Sequence, residues 1–231
     1  MGVDCYNGIA ESEIKASRKT KQGTEFTLNH PDGLLVDMKY KGQEKSTSNA
    51  QGWERSKQYY FKELLEKHPE YFSRYNKARI KNGESPKVDD VFVKHFPEYE
   101  KYKGEQMIHH HIGGDGQAVA VPRSIHRGSG GIHVDERKLG ITANAKEYSS
   151  LCADITKNHP EMEGKTSKEF RQYIKDNKII AKEGQGVTSK PYEPISDKNR
   201  RANDKRIRPQ IQAQEQHAKQ TLNMRRGRTI S

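Results

Sequence analysis

MIHHHIGGDGQAVAVPRSIHRGSGGIHVDERKLGI, residues 107–141, is the stretch on which the reading of this chain turns. Residues 107–112 read as a short strand. Gly113-Gly114-Asp115-Gly116 reads as a tight turn, and Ala118-Val119-Ala120-Val121 as a second strand closed by Pro122. His126 then falls at a helix start or loop, and Gly128-Ser129-Gly130-Gly131 leads on to His133. Asp135 and Glu136 open a helix that ends at Gly140. The expected unit is a β-hairpin followed by a helix.

Five of the chain's 10 histidines, His109, His110, His111, His126 and His133, fall inside this unit. Histidine is the commonest side-chain metal ligand and the one general base that titrates near neutral pH, so the cluster offers both capacities. Side chains alternate along a strand, so His109 and His110 point to opposite faces unless a bulge intervenes, and they can serve different roles. One can join His126 or His133 on a metal while its neighbour polarises a water. A structural zinc site is the bland alternative. It would use four closed ligands, typically with cysteine, and Cys152 lies well downstream. Surface histidines with no shared role are the other.

Working outward on the N-terminal side, residues 53–102 hold the only Trp, six of the 11 Tyr and four of the 6 Phe. Trp53, Tyr60, Phe61, Leu64 and Leu65 recur at helical spacing up to His68-Pro69. A second helix is expected from Glu70 to about Lys81, ended by Asn82-Gly83, and a third, short one around Val88, Val91, Phe92 and Phe96 that stops at Pro97. Such aromatics are read as core rather than as a base-stacking platform. Residues 1–50 read as a polar leader with one strand or hairpin at Leu34-Leu35-Val36. Asp32, Asp37 and Lys39 there are a thin match to the carboxylate-and-lysine set of another hydrolase class.

On the C-terminal side, residues 146–182 read as amphipathic helices, with Tyr148, Leu151 and Ile155 on one face and Phe170, Tyr173 and Ile174 on another. Beyond Gly184-Gln185-Gly186 the chain becomes basic. Residues 198–228 carry ten basic against two acidic side chains, which is eight of the chain's net charge of +11. That balance suits a polyanionic partner, the arm serving as a nucleic-acid tether or as a solubilising or translocation segment. Only 31% of the residues are hydrophobic, so a compact core with polar extensions is expected. Two cysteines make no disulfide framework. No signal peptide, membrane span or myristoylation pattern is found.

Ile108-His109-His110-His111, the Gly-Asp-Gly turn, Ala120-Val121-Pro122, Ile125-His126 and the Gly-Gly-x-His stretch ending at His133 resemble the HNH/endonuclease VII superfamily of nuclease toxins. These are ββα-metal domains at the C-terminal ends of bacterial polymorphic toxins, related to the DNase colicins. The resemblance spans residues 52–141, and Asn76, Pro86, Asp89 and Phe96-Pro97 belong to its lead-in. It implies an α+β fold, mostly helical around a ββα-metal motif at 107–141. The expected organisation is a leader over 1–50, a core over 51–145, accessory helices over 146–185 and a basic arm over 186–231. It also implies a metal-dependent endonuclease that cuts DNA, with RNA as the alternative substrate. Such a protein is a secreted effector acting in the target-cell cytoplasm, moved by a secretion-system carrier and neutralised by a cognate immunity protein. One divalent ion, Mg2+, Zn2+ or Ni2+, is implied. Carried over, His109 is the metal ligand and His110 the general base, or, one register later, His110 is the ligand and His111 the base. His126 orients the base or phosphate, or binds metal. His133, or failing it Glu136, completes the metal site from the helix. The step from His126 to His133 is wider than the family's tight pair. Arg123 and Arg127 flank the site as phosphate contacts or as solvated charges.

Overall fold

The computed structural model describes residues 2–43, 45–126 and 131–179. Residues 1–171 form one compact unit. The second unit is 172–231, of which 172–179, the end of the last helix and the turn after it, are described. Helix α1 (Glu11–Lys15) leads into a small ribbon of β1 (Arg18–Lys19) and β2 (Glu25–Phe26). Strand β3 (Val36–Asp37) precedes three helices, α2 (Lys57–Lys67), α3 (Arg74–Lys81) and α4 (Asp90–His95). A hairpin of β4 (Met107–His111) and β5 (Gln117–Pro122) then runs into the four-residue α5 (Arg123–His126) and α6 (Ile132–Lys138). Helices α7 (Ile141–Asn158) and α8 (Ser167–Asp176) close the described chain. The architecture is α+β, as the sequence implied.

Local chemistry explains the helix borders. Ser56, Ser73 and Asp89 cap α2, α3 and α4, each accepting a hydrogen bond from the backbone N–H three residues on, which satisfies a donor the helix itself cannot. Pro69 and Pro97 follow α2 and α4 and start short 3-10 turns. Gly140, in the left-handed region at φ 82°, separates α6 from α7.

The sheet order is β3-β5-β4, all antiparallel. Every residue of the central strand β5 is buried, which is why its sequence after Gln117 is an apolar run with no alternation. Its small side chains admit the histidines of β4: His109 pairs with Ala120, His110 with Val119 and His111 with Ala118. In the connecting turn, a Cβ on Gly116 would sit 2.6 Å from the Ser167 side chain and 2.7 Å from the Trp53 ring, so the close approach requires glycine there.

The first 50 residues contribute more than the one strand expected of them. Val3, Cys5, Tyr6, Ile14, Phe26 and Leu28 are buried in the same core as Phe61, Phe92 and Val121. Tyr6 donates its hydroxyl to the carbonyl of Leu28 at 2.6 Å, and the Leu28 N–H bonds the carbonyl of Ile14. Tyr60, Phe61 and Leu64 of α2 pack as core; Trp53, expected on the same helix, is buried too but precedes it, bridged in extended backbone to Tyr40. Among the described residues no helix is long and apolar enough to cross a membrane. The expected basic arm at 186–231 lies outside the described residues.

Candidate metal centre

Alternation along β4 sends His110 to the face opposite His109 and His111. His110 is fully buried, and its Nε2 lies 2.6 Å from Oε1 of Glu136, itself fully buried on α6. His133 stands one turn earlier on that helix, with Nδ1 3.4 Å from Glu136 Oε2. His126 ends α5. One ligand nitrogen from each of His110, His126 and His133 falls within 4.8 Å of the others. The ring centroids are 5.3 Å apart for His110 and His126, 4.7 Å for His110 and His133, and 4.9 Å for His126 and His133. Hairpin, short helix and following helix thus each supply one imidazole.

The donor set suits a divalent cation. A carboxylate only accepts, so His110 donates through Nε2 and keeps its lone pair on Nδ1. That Nδ1 is buried without a hydrogen-bond partner, as is Glu136 Oε2. Orphaned buried polar atoms are rare in folded proteins and call for a ligand or a water. A carboxylate behind a histidine is the usual means of fixing tautomer and ring orientation at a metal. Three imidazoles leave a fourth position open, the pattern of catalytic rather than closed structural sites.

The electrostatics agree. Burial, then the charges of His110 and His133, push His126 down to about 3. Burial, then His111, His126 and His110, push His109 down to about 3. Burial takes His111 down to about 4. Glu136 responds to two opposed effects: burial raises it, but the charge and hydrogen bond of His110, together with His133, outweigh that and hold it at about 2. Kept unprotonated by its surroundings, the His126 imidazole is free to bind a cation, and the Glu136 carboxylate is placed to neutralise it.

The remaining candidates lie elsewhere. His109 sits on the other face of β4, toward α2, its ring 6.0 Å from Tyr60 and 5.5 Å from His111, and is not part of the three-nitrogen group. His111 donates Nδ1–H to the carbonyl of Asp115 at 2.8 Å; its Nε2 is buried with no well-formed hydrogen bond, although the Glu54 backbone also acts on the ring. Arg123 is exposed at the start of α5, and Arg127 lies outside the described residues. Asp32, Asp37 and Lys39 do not converge: Asp32 accepts from Gly2, Asp37 is ion-paired with Arg171, and Lys39 lies over the Tyr59 ring. The sequence marks Glu136 only as a substitute ligand. It does not mark His30, whose ring is buried 6.4 Å from that of His110. A lone histidine so far upstream carries no local signal.

The family described as HNH/Endo VII superfamily nuclease toxin with a HHH motif matches residues 32–134. The match takes in His110, His126 and His133 and stops short of His30 and Glu136. No curated protein and no solved structure matches the chain.

Proposed function

We propose, from the premise that residues 32–134 belong to the HNH/Endo VII superfamily of nuclease toxins, that this nuclease is a metal-dependent endonuclease. Its substrate is DNA, and it acts as an antibacterial effector brought into the target cell by a carrier and restrained in its producer by an immunity protein. The observation that carries the reading is the convergence of His110, His126 and His133 with Glu136 behind His110.

In this reading His110, His126 and His133 hold one divalent ion. When bound, the ion supplies Lewis-acid stabilisation of charge building on the scissile phosphate and the leaving oxygen. Glu136 fixes the His110 tautomer so that Nδ1 faces outward from the carboxylate as a free donor. By the later register of the resemblance the general base is His111, next on β4 with Nδ1–H tied to the Asp115 carbonyl; its side chain leaves the strand on the face opposite His110, so taking the proton from the attacking water through Nε2 requires the strand to turn this side chain toward the metal side. The water oxygen forms the new bond to phosphorus as the bond to the leaving 3′-oxygen breaks. This is the later of the two registers left open by the sequence, and the grouping of His110 rather than His109 with the other two histidines favours it. Arg123, exposed beside His126, contacts the substrate phosphate, and the basic arm adds sequence-independent affinity.

The test is a nicking assay on plasmid DNA and on a matched RNA, with chelator-stripped protein and Mg2+, Ni2+ or Zn2+ added back. Cleavage of DNA that needs the metal and is lost in His110→Ala supports the reading. Binding without cleavage of either nucleic acid under any metal overturns it and leaves a basic binding protein with a structural metal.

A further inference from the structure

His30 stands outside the family-matched segment, and nothing in the proposed mechanism uses it. It is held firmly. Upstream, the backbone of Leu28 is tied to Ile14 and Tyr6. Downstream, Leu34 bonds the carbonyl of Pro31, and Gly2 bonds the Asp32 carboxylate. The ring enters the core, 8% exposed, and lies 6.4 Å from the His110 ring at an interplanar angle of 59°. Its Nε2 is buried with no hydrogen-bond partner.

Seven buried side-chain atoms among the described residues lack a partner, and three of them belong to His30, His110 and Glu136. Each of the three explains a different part of the site. His110 Nδ1 is left for the cation. Glu136 Oε2 faces His133 Nδ1 at 3.4 Å but makes no well-formed hydrogen bond and keeps acceptor capacity, and His30 Nε2 is a ring nitrogen able to donate. No direct hydrogen bond joins the His30 and Glu136 atoms, but both groups flank the His110 ring, and Glu136 acts electrostatically on His30. One water accepting from one group and donating to the other satisfies both.

We propose that His30 is a positioning residue of the metal centre, which holds the Glu136 carboxylate against His110 through a bridging water. His30 does not bind the ion: no nitrogen of it falls within the three-histidine group. The N-terminal segment is then part of the site and not only packing around it. The inference rests on the metal-centre reading of His110, His126 and His133.

Its test is titration of the purified full chain with Co2+, followed by the visible absorption of the bound ion, on wild type, His110→Ala, His30→Gln and His30→Met. Wild type binds and His110→Ala does not if the centre itself is right. Removal of an outer-shell partner weakens metal by about 10- to 100-fold, so His30→Met is expected to lose at least about tenfold with an altered band. His30→Gln, which retains a donor, recovers most of it. Should His30→Met fail to fold in a chelator, the nitrogen-edited imidazole spectrum of wild type decides. Zn2+ must then shift the His30 signals while leaving Nε2 protonated. Wild-type-like Co2+ affinity and band in His30→Met, or His30 signals that ignore Zn2+, overturn the proposal and leave the metal centre standing. No Co2+ binding by wild type sinks both.

Discussion

His110 and Glu136 meet as a fully buried pair, Nε2 to Oε1 at 2.6 Å, one from a strand and the other from the helix packed across it. Desolvating a carboxylate is costly, and here His110 and His133 lower its pKa in spite of burial. The pair is therefore already arranged for a cation. Glu136 supplies the negative charge, His110 carries the orientation, and the free imidazole nitrogens of His126 and His133 stand nearby.

Replacing Glu136 by Gln keeps the shape and removes the charge. Metal affinity is expected to fall by about 10- to 100-fold, because the amide no longer reinforces His110 as a ligand. Calorimetric titration of stripped protein with Zn2+ measures it. Unchanged affinity in Glu136→Gln would mean that the carboxylate only fills space.

The proposed division of labour on β4 separates two neighbouring histidines. His110→Ala should lose both metal binding and cleavage. His111→Ala should keep metal affinity while cleavage drops by about 10²- to 10⁴-fold, the usual contribution of a general base. If His109→Ala shows the selective loss and His111→Ala cleaves normally, the base is on the wrong residue.

The hairpin-helix unit was legible because its signals are local: glycines in the turn, a closing Pro122, and histidines at fixed offsets. The helices were legible from the spacing of buried aromatics and from the breaks at His68-Pro69, Asn82-Gly83 and Pro97. What stayed hidden depends on tertiary contact. Glu136 reads only as a substitute metal ligand until the fold brings its carboxylate to His110. The N-terminal segment is polar on average, yet Tyr6, Ile14 and Leu28 are placed so that a few apolar residues suffice to anchor it and carry His30 inward. No window average can show that, since the partners lie over a hundred residues away: the Cys5 thiol faces the carbonyl of Ile112, and Asp4 bonds Gln117.

Asn76 and Asp89, which the sequence placed in the lead-in to the site, form a clasp between α3 and α4. The buried Asn76 amide donates to the Lys87 carbonyl at 2.7 Å and to Asp89 Oδ2 at 2.8 Å, and accepts from Lys87 N–H at 2.9 Å. Asn76→Ala leaves those partners unsatisfied, which should cost about 2–4 kcal/mol in chemical denaturation. Metal affinity of the folded variant should stay at the wild-type value. A loss of affinity larger than the loss of stability explains would show that the clasp also shapes the site.

Asp115 sets a pH dependence of the opposite sense to that of most carboxylates. Burial, only partly offset by the hydrogen bond from Gly116 and the charge of Arg171, raises it from 3.8 to about 7, and its Oδ2 has no partner. The folded chain therefore holds this proton more tightly than the unfolded chain does. Its contribution is fully present below about pH 4 and is lost as pH rises toward and through 7. Asp115→Asn retains the acceptor for Gly116 and cannot ionise. In chelator, where bound metal adds nothing, the variant should match wild type near pH 4. It should become the more stable of the two as pH climbs to 8, by up to a few kcal/mol, since each tenfold change in proton affinity is worth about 1.4 kcal/mol. The comparison is between two proteins that share every histidine, so acid protonation of the site affects both alike. Parallel stability curves across that range would show that the buried carboxyl is solvated by water and titrates normally.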